Sequence, residues 1–279
     1  MRQSNRSGRR QPASLGLTAL LSCALGVACS AAPASSTGAS TAAAAAAPVV
    51  TTSEKVEGRT RTDWDFTAMT KWRLCDVGDL DECTAQCNRG HLPSCVRLAN
   101  IYSEGKRVPQ DYDMAARLYD LPCEYRIGVA CSNRASIFAR KHDYVNAAEY
   151  FRRGCESDDP NGCYQLATAY EDGRGVAADA AQAVVLSKKA CDGGDVRGCD
   201  SLGVLYMRGQ GVAVDPARAV GLFGRACDAG NAWGCGNLGS AYQEGMGVAR
   251  DGARAGELRQ RACDGGAREF CASTVGPGK

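Results

Sequence analysis

Seven residues separate the two thiols in each of seven cysteine pairs: Cys75/Cys83, Cys87/Cys95, Cys123/Cys131, Cys155/Cys163, Cys191/Cys199, Cys227/Cys235 and Cys263/Cys271. Successive pairs step by 36 residues, apart from a crowded first step and a 32-residue step from Cys123 to Cys155. A chain ruled in this way is built from repeated units. Structural zinc sites usually put about two to four residues between their first two cysteines. The interval here is wider, and His91 and His142 are the only histidines. Disulfides within each pair are therefore expected over metal ligation, with no metal site and no cofactor.

Other residues keep the same ruler. In the third unit Leu166 and Tyr170 follow Cys163 on one helical face. Gly173, Gly175, Val176, Asp179, Ala183, Leu186 and Cys191 come next. The fourth unit repeats the series as Leu202, Tyr206, Gly209, Gly211, Val212, Asp215, Ala219, Leu222 and Cys227. The fifth gives Leu238, Tyr242, Gly245, Gly247, Val248, Asp251, Ala255, Leu258 and Cys263. Each position has a physical role. Gly173, Gly209 and Gly245 are expected to end a first helix in the left-handed conformation. Asp179, Asp215 and Asp251 are expected to cap a second helix. The alanine four residues later permits close helix contact.

Such a hairpin cannot bury its own apolar face and must stack on neighbours. The expected fold is all-α: a right-handed α-solenoid of antiparallel helix hairpins. Each cysteine pair joins the end of one unit's second helix to the start of the next unit's first helix. A bridge there closes a loop of about nine residues, contributing about 2.5 kcal/mol in the chain-entropy account. The second unit departs from the pattern. It has lost four residues between Phe138 and Asp143, including both glycines, and carries Arg134 where the others have leucine. Its turn must be tighter. Cys83 and Cys87, four apart, are expected to share one helix and pair outward.

The run Leu202-Gly203-Val204-Leu205-Tyr206-Met207-Arg208-Gly209-Gln210-Gly211-Val212 resembles the Sel1-like repeat, a relative of the tetratricopeptide repeat. The cysteine pairs add a similarity to the Helicobacter cysteine-rich proteins. The resemblance implies a protein-interaction scaffold. It also implies a rival reading, because similar proteins carry β-lactamase or penicillin-binding labels. Ser103-Glu104-Gly105-Lys106 does read Ser-x-x-Lys. Yet Ser103 and Lys106 occupy slots taken by Glu171 and Arg174 in the third unit, and no Lys-Thr-Gly or Ser-Asp-Asn accompanies them. No catalytic residue is assigned. His91 lies in a connector where Asp195 sits later, and reads as a solvated loop residue.

The N-terminus reads as an export leader. Arg2, Arg6, Arg9 and Arg10 precede an apolar run from Leu15 to Ala28, short for a membrane span of about 20 residues. Leu25-Gly26-Val27-Ala28-Cys29 resembles a lipoprotein box, which implies lipid on Cys29. An ordinary cleaved leader is the alternative, and Cys23 a rival acceptor. Residues 1–28 are thus assigned to a lipoprotein-type leader and 29–55 to a flexible Ala/Ser/Thr/Pro tether. Residues 56–94, with Trp64, Phe66 and Trp72, form an N-terminal cap with a partial repeat. Residues 95–271, opening at Cys95, hold five repeats and a terminal stub, and 272–279 a tail. The expected location is a lipid-anchored site at the outer membrane, or else the periplasm or exterior in soluble form.

Net charge is +2, so nothing calls for nucleic acid, and membrane contact is expected only through the anchor. A monomer is expected, binding a protein or peptide in the envelope. In tetratricopeptide-like stacks the first helices line the concave face. The residues two and five after each unit's first cysteine then form a ladder: Arg97 and Asn100, Asn133 and Ser136, Gln165 and Thr168, Ser201 and Val204, Asn237 and Ser240. Most are small or amide side chains, suited to hydrogen-bonding an extended peptide.

Overall fold

The computed structural model describes residues 74–271. The leader, Cys29, the tether, Trp64, Phe66, Trp72 and the tail lie outside them. Among the described residues there are eleven α-helices, one short 3-10 turn and no strand. A lone helix, α1 (Leu80–Asn88), precedes five hairpins. These are α2 (Leu92–Glu104) with α3 (Tyr112–Glu124), α4 (Gly128–Arg140) with α5 (Tyr144–Glu156) and α6 (Pro160–Asp172) with α7 (Ala180–Asp192). The last two are α8 (Val196–Arg208) with α9 (Pro216–Asp228), and α10 (Ala232–Glu244) with α11 (Gly252–Asp264). A 3-10 turn, Arg268–Phe270, closes the series.

The fold is the expected α-solenoid. Each helix packs on its hairpin partner, and each second helix but the last packs on the first helix of the next hairpin. The first helices of successive hairpins also touch: α4 meets α6, α6 meets α8 and α8 meets α10. They therefore line the inner side of the stack.

Local chemistry sets the boundaries. Gly105, Gly173, Gly209 and Gly245 end their first helices at φ of 66°, 68°, 67° and 75°. Asp111, Asp143, Asp179, Asp215 and Asp251 cap the second helices, each carboxylate accepting a backbone N–H of the first turn. The alanines beyond them, Ala115, Ala183, Ala219 and Ala255, are fully buried, so the two helix backbones approach closely. In the second hairpin the connection shrinks to Lys141, His142 and Asp143. His142 takes a left-handed φ of 60°, and the Asp143 N–H reaches back to the Phe138 carbonyl at 3.0 Å.

Seven disulfides are formed: Cys75–Cys83, Cys87–Cys95, Cys123–Cys131, Cys155–Cys163, Cys191–Cys199, Cys227–Cys235 and Cys263–Cys271. Their Cα–Cα separations run from 4.4 Å at Cys227–Cys235 to 5.1 Å at Cys75–Cys83. Cys83 and Cys87 share α1 and pair outward, Cys83 back to Cys75 and Cys87 forward to Cys95. The bridges from Cys87–Cys95 to Cys227–Cys235 obey one geometry. Cys87, Cys191 and Cys227 are the penultimate residues of α1, α7 and α9, whereas Cys95, Cys199 and Cys235 are the fourth residues of α2, α8 and α10. The unit-opening cysteines therefore lie one turn inside their helices. The first hairpin begins at Leu92, three residues before the boundary that Cys95 marks in the sequence, and the fifth at Ala232, three before Cys235. The reason is steric: a bridge buried between two helices must leave from within a turn, where Cys95 and Cys235 are both 3% exposed.

From Cys155–Cys163 to Cys227–Cys235 the residue before each cysteine is glycine or alanine, and the approach needs it. A Cβ at Gly198 would stand 2.6 Å from the Ala190 Cβ, and one at Gly234 2.6 Å from the Ala226 Cβ. The Cys87–Cys95 clasp departs from that rule and corrects the reading of His91. Here Gln86 and Ser94 precede Cys87 and Cys95, and their polar groups need partners once buried. The Ser94 hydroxyl donates to Gln86 Oε1 at 2.6 Å, and His91 Nδ1 lies 2.6 Å from the same hydroxyl. His91 is 6% exposed at the N-terminus of α2. It is a core residue, not a solvated one, and burial lowers its pKa.

Candidate interaction surface

The ten ladder residues all sit on the first helices, and all are half-buried. Position on the helix explains this: residues two and five beyond Cys95, Cys131, Cys163, Cys199 and Cys235 lie between the hairpin's own core and the neighbouring first helix. Their polar atoms are largely spent inside the stack. Asn133 Nδ2 donates to Asn100 Oδ1 at 3.1 Å, tying α4 to α2. Asn237 Nδ2 donates to Asp200 Oδ1 at 2.7 Å, tying α10 to α8. Asn100 Oδ1 also accepts from the Tyr119 hydroxyl, and Arg97 donates to the Cys75 carbonyl. The hydroxyls of Ser136, Thr168 and Ser240 donate to carbonyls four residues back in their own helices, at 3.0, 3.1 and 3.1 Å. Val204 packs on the apolar core.

Asp200 was no part of the ladder read from the sequence. It follows Cys199 directly, where other units have Val96, Ser132, Tyr164 and Gly236. Its burial against α10 pushes its carboxyl pKa up, and the Asn237 hydrogen bond offsets only part of that. The one signal was an acid in a slot otherwise without charge. Tyr119, fully buried beneath Asn100 and Asn133, is likewise raised by burial.

Arg134 fills the place of the missing leucine. It pairs with Asp120, and its guanidinium lies 4.4 Å from the Tyr150 ring centroid. Phe138 stacks on Tyr150 at 5.3 Å.

Ser103 and Lys106 each take another partner. The Ser103 hydroxyl donates to the Asn100 carbonyl of its own helix at 3.0 Å. Lys106 is exposed and pairs with Glu104 at 2.9 Å. Both border a groove of about 540 Å³ between the first two hairpins, floored by Tyr119, Asn100 and Asn133 and walled by Tyr112, Ser136 and Arg140.

A further regularity lies on the second helices. Lys189, Arg225 and Arg261, each two residues before a cysteine, donate to the carbonyls of Cys155, Cys191 and Cys227 at 2.6, 3.5 and 3.3 Å. Each cation meets the C-terminal end of the preceding hairpin's helix, where the backbone dipole is negative.

The Sel1 repeat family model matches residues 92–121, 122–159, 160–195, 197–231 and 234–266. No match was found among curated proteins. Among solved structures, a protective antigen of uropathogenic Escherichia coli strains with an SLR fold is 26% identical at a TM-score of 0.63. The match covers 69% of this chain and 43% of the antigen, so this chain spans less than half of that protein. A Sel1 repeat protein of Oxalobacter formigenes is 19% identical at a TM-score of 0.62, over 67% of this chain and 79% of that one. The Helicobacter pylori cysteine rich protein B is 26% identical over 46% of this chain and 92% of its own, at a TM-score of 0.39.

Proposed function

This chain belongs to the Sel1 repeat family, whose repeats generally serve as protein-interaction scaffolds, and from that premise we propose that it is an exported scaffold binding a protein or peptide partner in the cell envelope. The observation that carries the reading is the continuous face of first helices. Hydrogen bonds from Asn133 to Asn100 and from Asn237 to Asp200 tie neighbouring first helices at both ends of that face, which favours a preorganised surface. Gln165 and Ser201 lie on it on consecutive hairpins, α6 and α8.

Export is supported by the seven disulfides, which persist in oxidising compartments, and by the basic, then apolar N-terminal sequence. No helix among the described residues is long and apolar enough to cross a membrane. Lipid on Cys29 would supply the anchor, and Ser30, not aspartate, follows it, which by analogy with Gram-negative sorting favours the outer membrane. Intact mass of the mature protein tests this part: an unlipidated N-terminus defeats the anchor.

Crosslinking of oxidised protein in an envelope fraction tests the binding part. A partner held by the inner face should be lost with the Gln165→Glu, Ser201→Glu double variant and kept with Gln182→Glu, Lys188→Glu on the outer helix α7. The reverse pattern would place the partner on the second helices and defeat the assignment.

A further inference from the structure

The loops of the third, fourth and fifth hairpins each cover the hairpin before them, and the contact is backbone on backbone. A Cβ at Gly175 would lie 1.9 Å from the Tyr144 carbonyl oxygen. One at Gly211 would lie 2.2 Å from that of Ala180, and one at Gly247 2.3 Å from that of Pro216. Tyr144, Ala180 and Pro216 are the first residues of α5, α7 and α9. The start of a second helix is thus a seat for the second glycine of the next loop.

The same seat on the first hairpin is Tyr112, the opening residue of α3. The loop that would fill it belongs to the second hairpin, and that loop is the one shortened by four residues, both glycines included. Lys141 turns instead to Asp113 at 2.5 Å. The groove of about 540 Å³ opens at this place, between Gln110 and Tyr112 on one side and Ile137 and Arg140 on the other. The Arg140 guanidinium stands 5.6 Å from the Tyr112 ring centroid, at the rim.

We propose that this vacated seat receives a glycine-containing turn of a protein partner, of the Gly-x-Gly-Val type, laid against the start of α3 as the chain's own loops lie against α5, α7 and α9. The molecule itself shows three times what such a seat accepts. The second glycine of the guest is required, because a Cβ there would meet the helix backbone. The groove adds a hydrogen-bonding floor of Tyr119, Asn100 and Asn133 and a basic rim at Arg140. The proposal rests on the scaffold reading and narrows it to one seat and one ligand chemistry.

The test uses a labelled peptide, Glu-Gly-Met-Gly-Val-Ala, copied from residues 244–249, titrated with the oxidised protein by fluorescence anisotropy. Saturable binding is expected. Alanine in place of the peptide's second glycine should weaken it by about tenfold or more, a ratio set by about 1.4 kcal/mol. Inserting Gly-Arg-Gly-Val after Arg140 restores the missing loop and should abolish binding while helicity is kept. Ser136→Phe, which narrows the groove without changing the backbone, should also weaken binding and guards against a misfolded insertion variant. Absent saturation, an alanine peptide that binds as well, or equal binding by both protein variants would overturn the proposal. Concentration-dependent dimers that the insertion dissolves would overturn it in favour of a second copy as occupant. Peptide failure alongside partner loss in the Gln165→Glu, Ser201→Glu variant would defeat this seat and leave the scaffold reading standing.

Discussion

Gly175, Gly194 and Gly256 carry one residue type in three different physical situations, so one substitution should give three outcomes. At Gly175 the φ of 75° is strained for any other residue, and a Cβ would collide with the Tyr144 carbonyl. Gly175→Ala should lose about 3 kcal/mol, since strain and forced backbone movement combine. Gly194 has φ of 95° but open space around its Cβ, so Gly194→Ala should lose only about 1 kcal/mol. Gly256 is an exposed position inside α11 with nothing near its Cβ; Gly256→Ala should gain about 0.5–1 kcal/mol. Denaturant midpoints on the three variants check the order. Asp200 supplies a pH signature. Its native pKa is raised by burial, so between the ordinary carboxylate range and that raised value the native state holds more protons than the unfolded one. Stability must then fall as pH rises through this window. Asp200→Asn keeps an acceptor for Asn237 and removes the charge. The variant should be more stable than the parent at neutral pH, with the advantage vanishing in acid below the ordinary carboxylate pKa. Melting curves across that range would show a constant difference if Asp200 were not responsible.

Hairpins and clasps act as elements, and the clasps differ by place. Cys191–Cys199 joins α7 to α8 in the interior of the stack, whereas Cys263–Cys271 holds only the terminal turn against α11. Replacing both cysteines of the interior clasp with serine should lower global stability by about 2.5 kcal/mol. The same change at the terminal clasp should fray residues beyond α11 and leave the main transition nearly in place, because each repeat feels only its neighbours. Equilibrium unfolding of the two double variants compares them directly. The hairpins, their turns and their caps were legible in the sequence because glycine, aspartate and cysteine there answer constraints within one repeat. The helix starts were less so: Cys95 and Cys235 are easy to see, but the three residues before each already belong to its helix. What lay beyond reach depends on two repeats at once. The Asn133–Asn100 and Asn237–Asp200 bonds span 33 and 37 residues, and periodicity within a helix does not say whether an amide faces solvent or its counterpart. The first-helix caps Asp159, Asp195 and Asn231 went unread although each sits four residues before a cysteine, and Ile127 and His91 interrupt that series. His91 misled because its connector slot is polar in the last three hairpins, as Asp159, Asp195 and Asn231, while its burial follows from Gln86 and Ser94 replacing small neighbours of Cys87 and Cys95.

At the scale of the whole stack, the apolar core is uneven. One large cluster gathers side chains of α1 to α4, including Leu98, Leu118, Tyr119 and Ile137. Another runs through α7 to α11 with Leu202, Leu222, Phe223, Leu238 and Leu258. Between them the core thins to Ala135, Ala147, Ala148, Phe151 and Leu166, with Arg134 and its partner Asp120 in place of a leucine contact. Alanines bury little apolar area at about 25 cal/mol per Å², and an ion pair at a half-buried site adds little net stability. The clasps Cys123–Cys131 and Cys155–Cys163 bracket the second hairpin, so in oxidised protein they restrain the hairpin whose buried apolar residues, cysteines aside, are mostly alanine. Reduction removes that restraint everywhere, but the effect should surface first in α4 to α6. Hydrogen exchange followed by mass spectrometry on reduced, alkylated protein should show amides of residues 128–172 losing protection before those of 196–262. Denaturation should then separate into two steps. In oxidised protein the difference should shrink, since a clasp at each end ties the second hairpin to its neighbours. Uniform exchange along the reduced stack, or earliest loss in α8 to α11, would mean that the Arg134–Asp120–Tyr150 cluster holds the second hairpin as firmly as leucine holds the others.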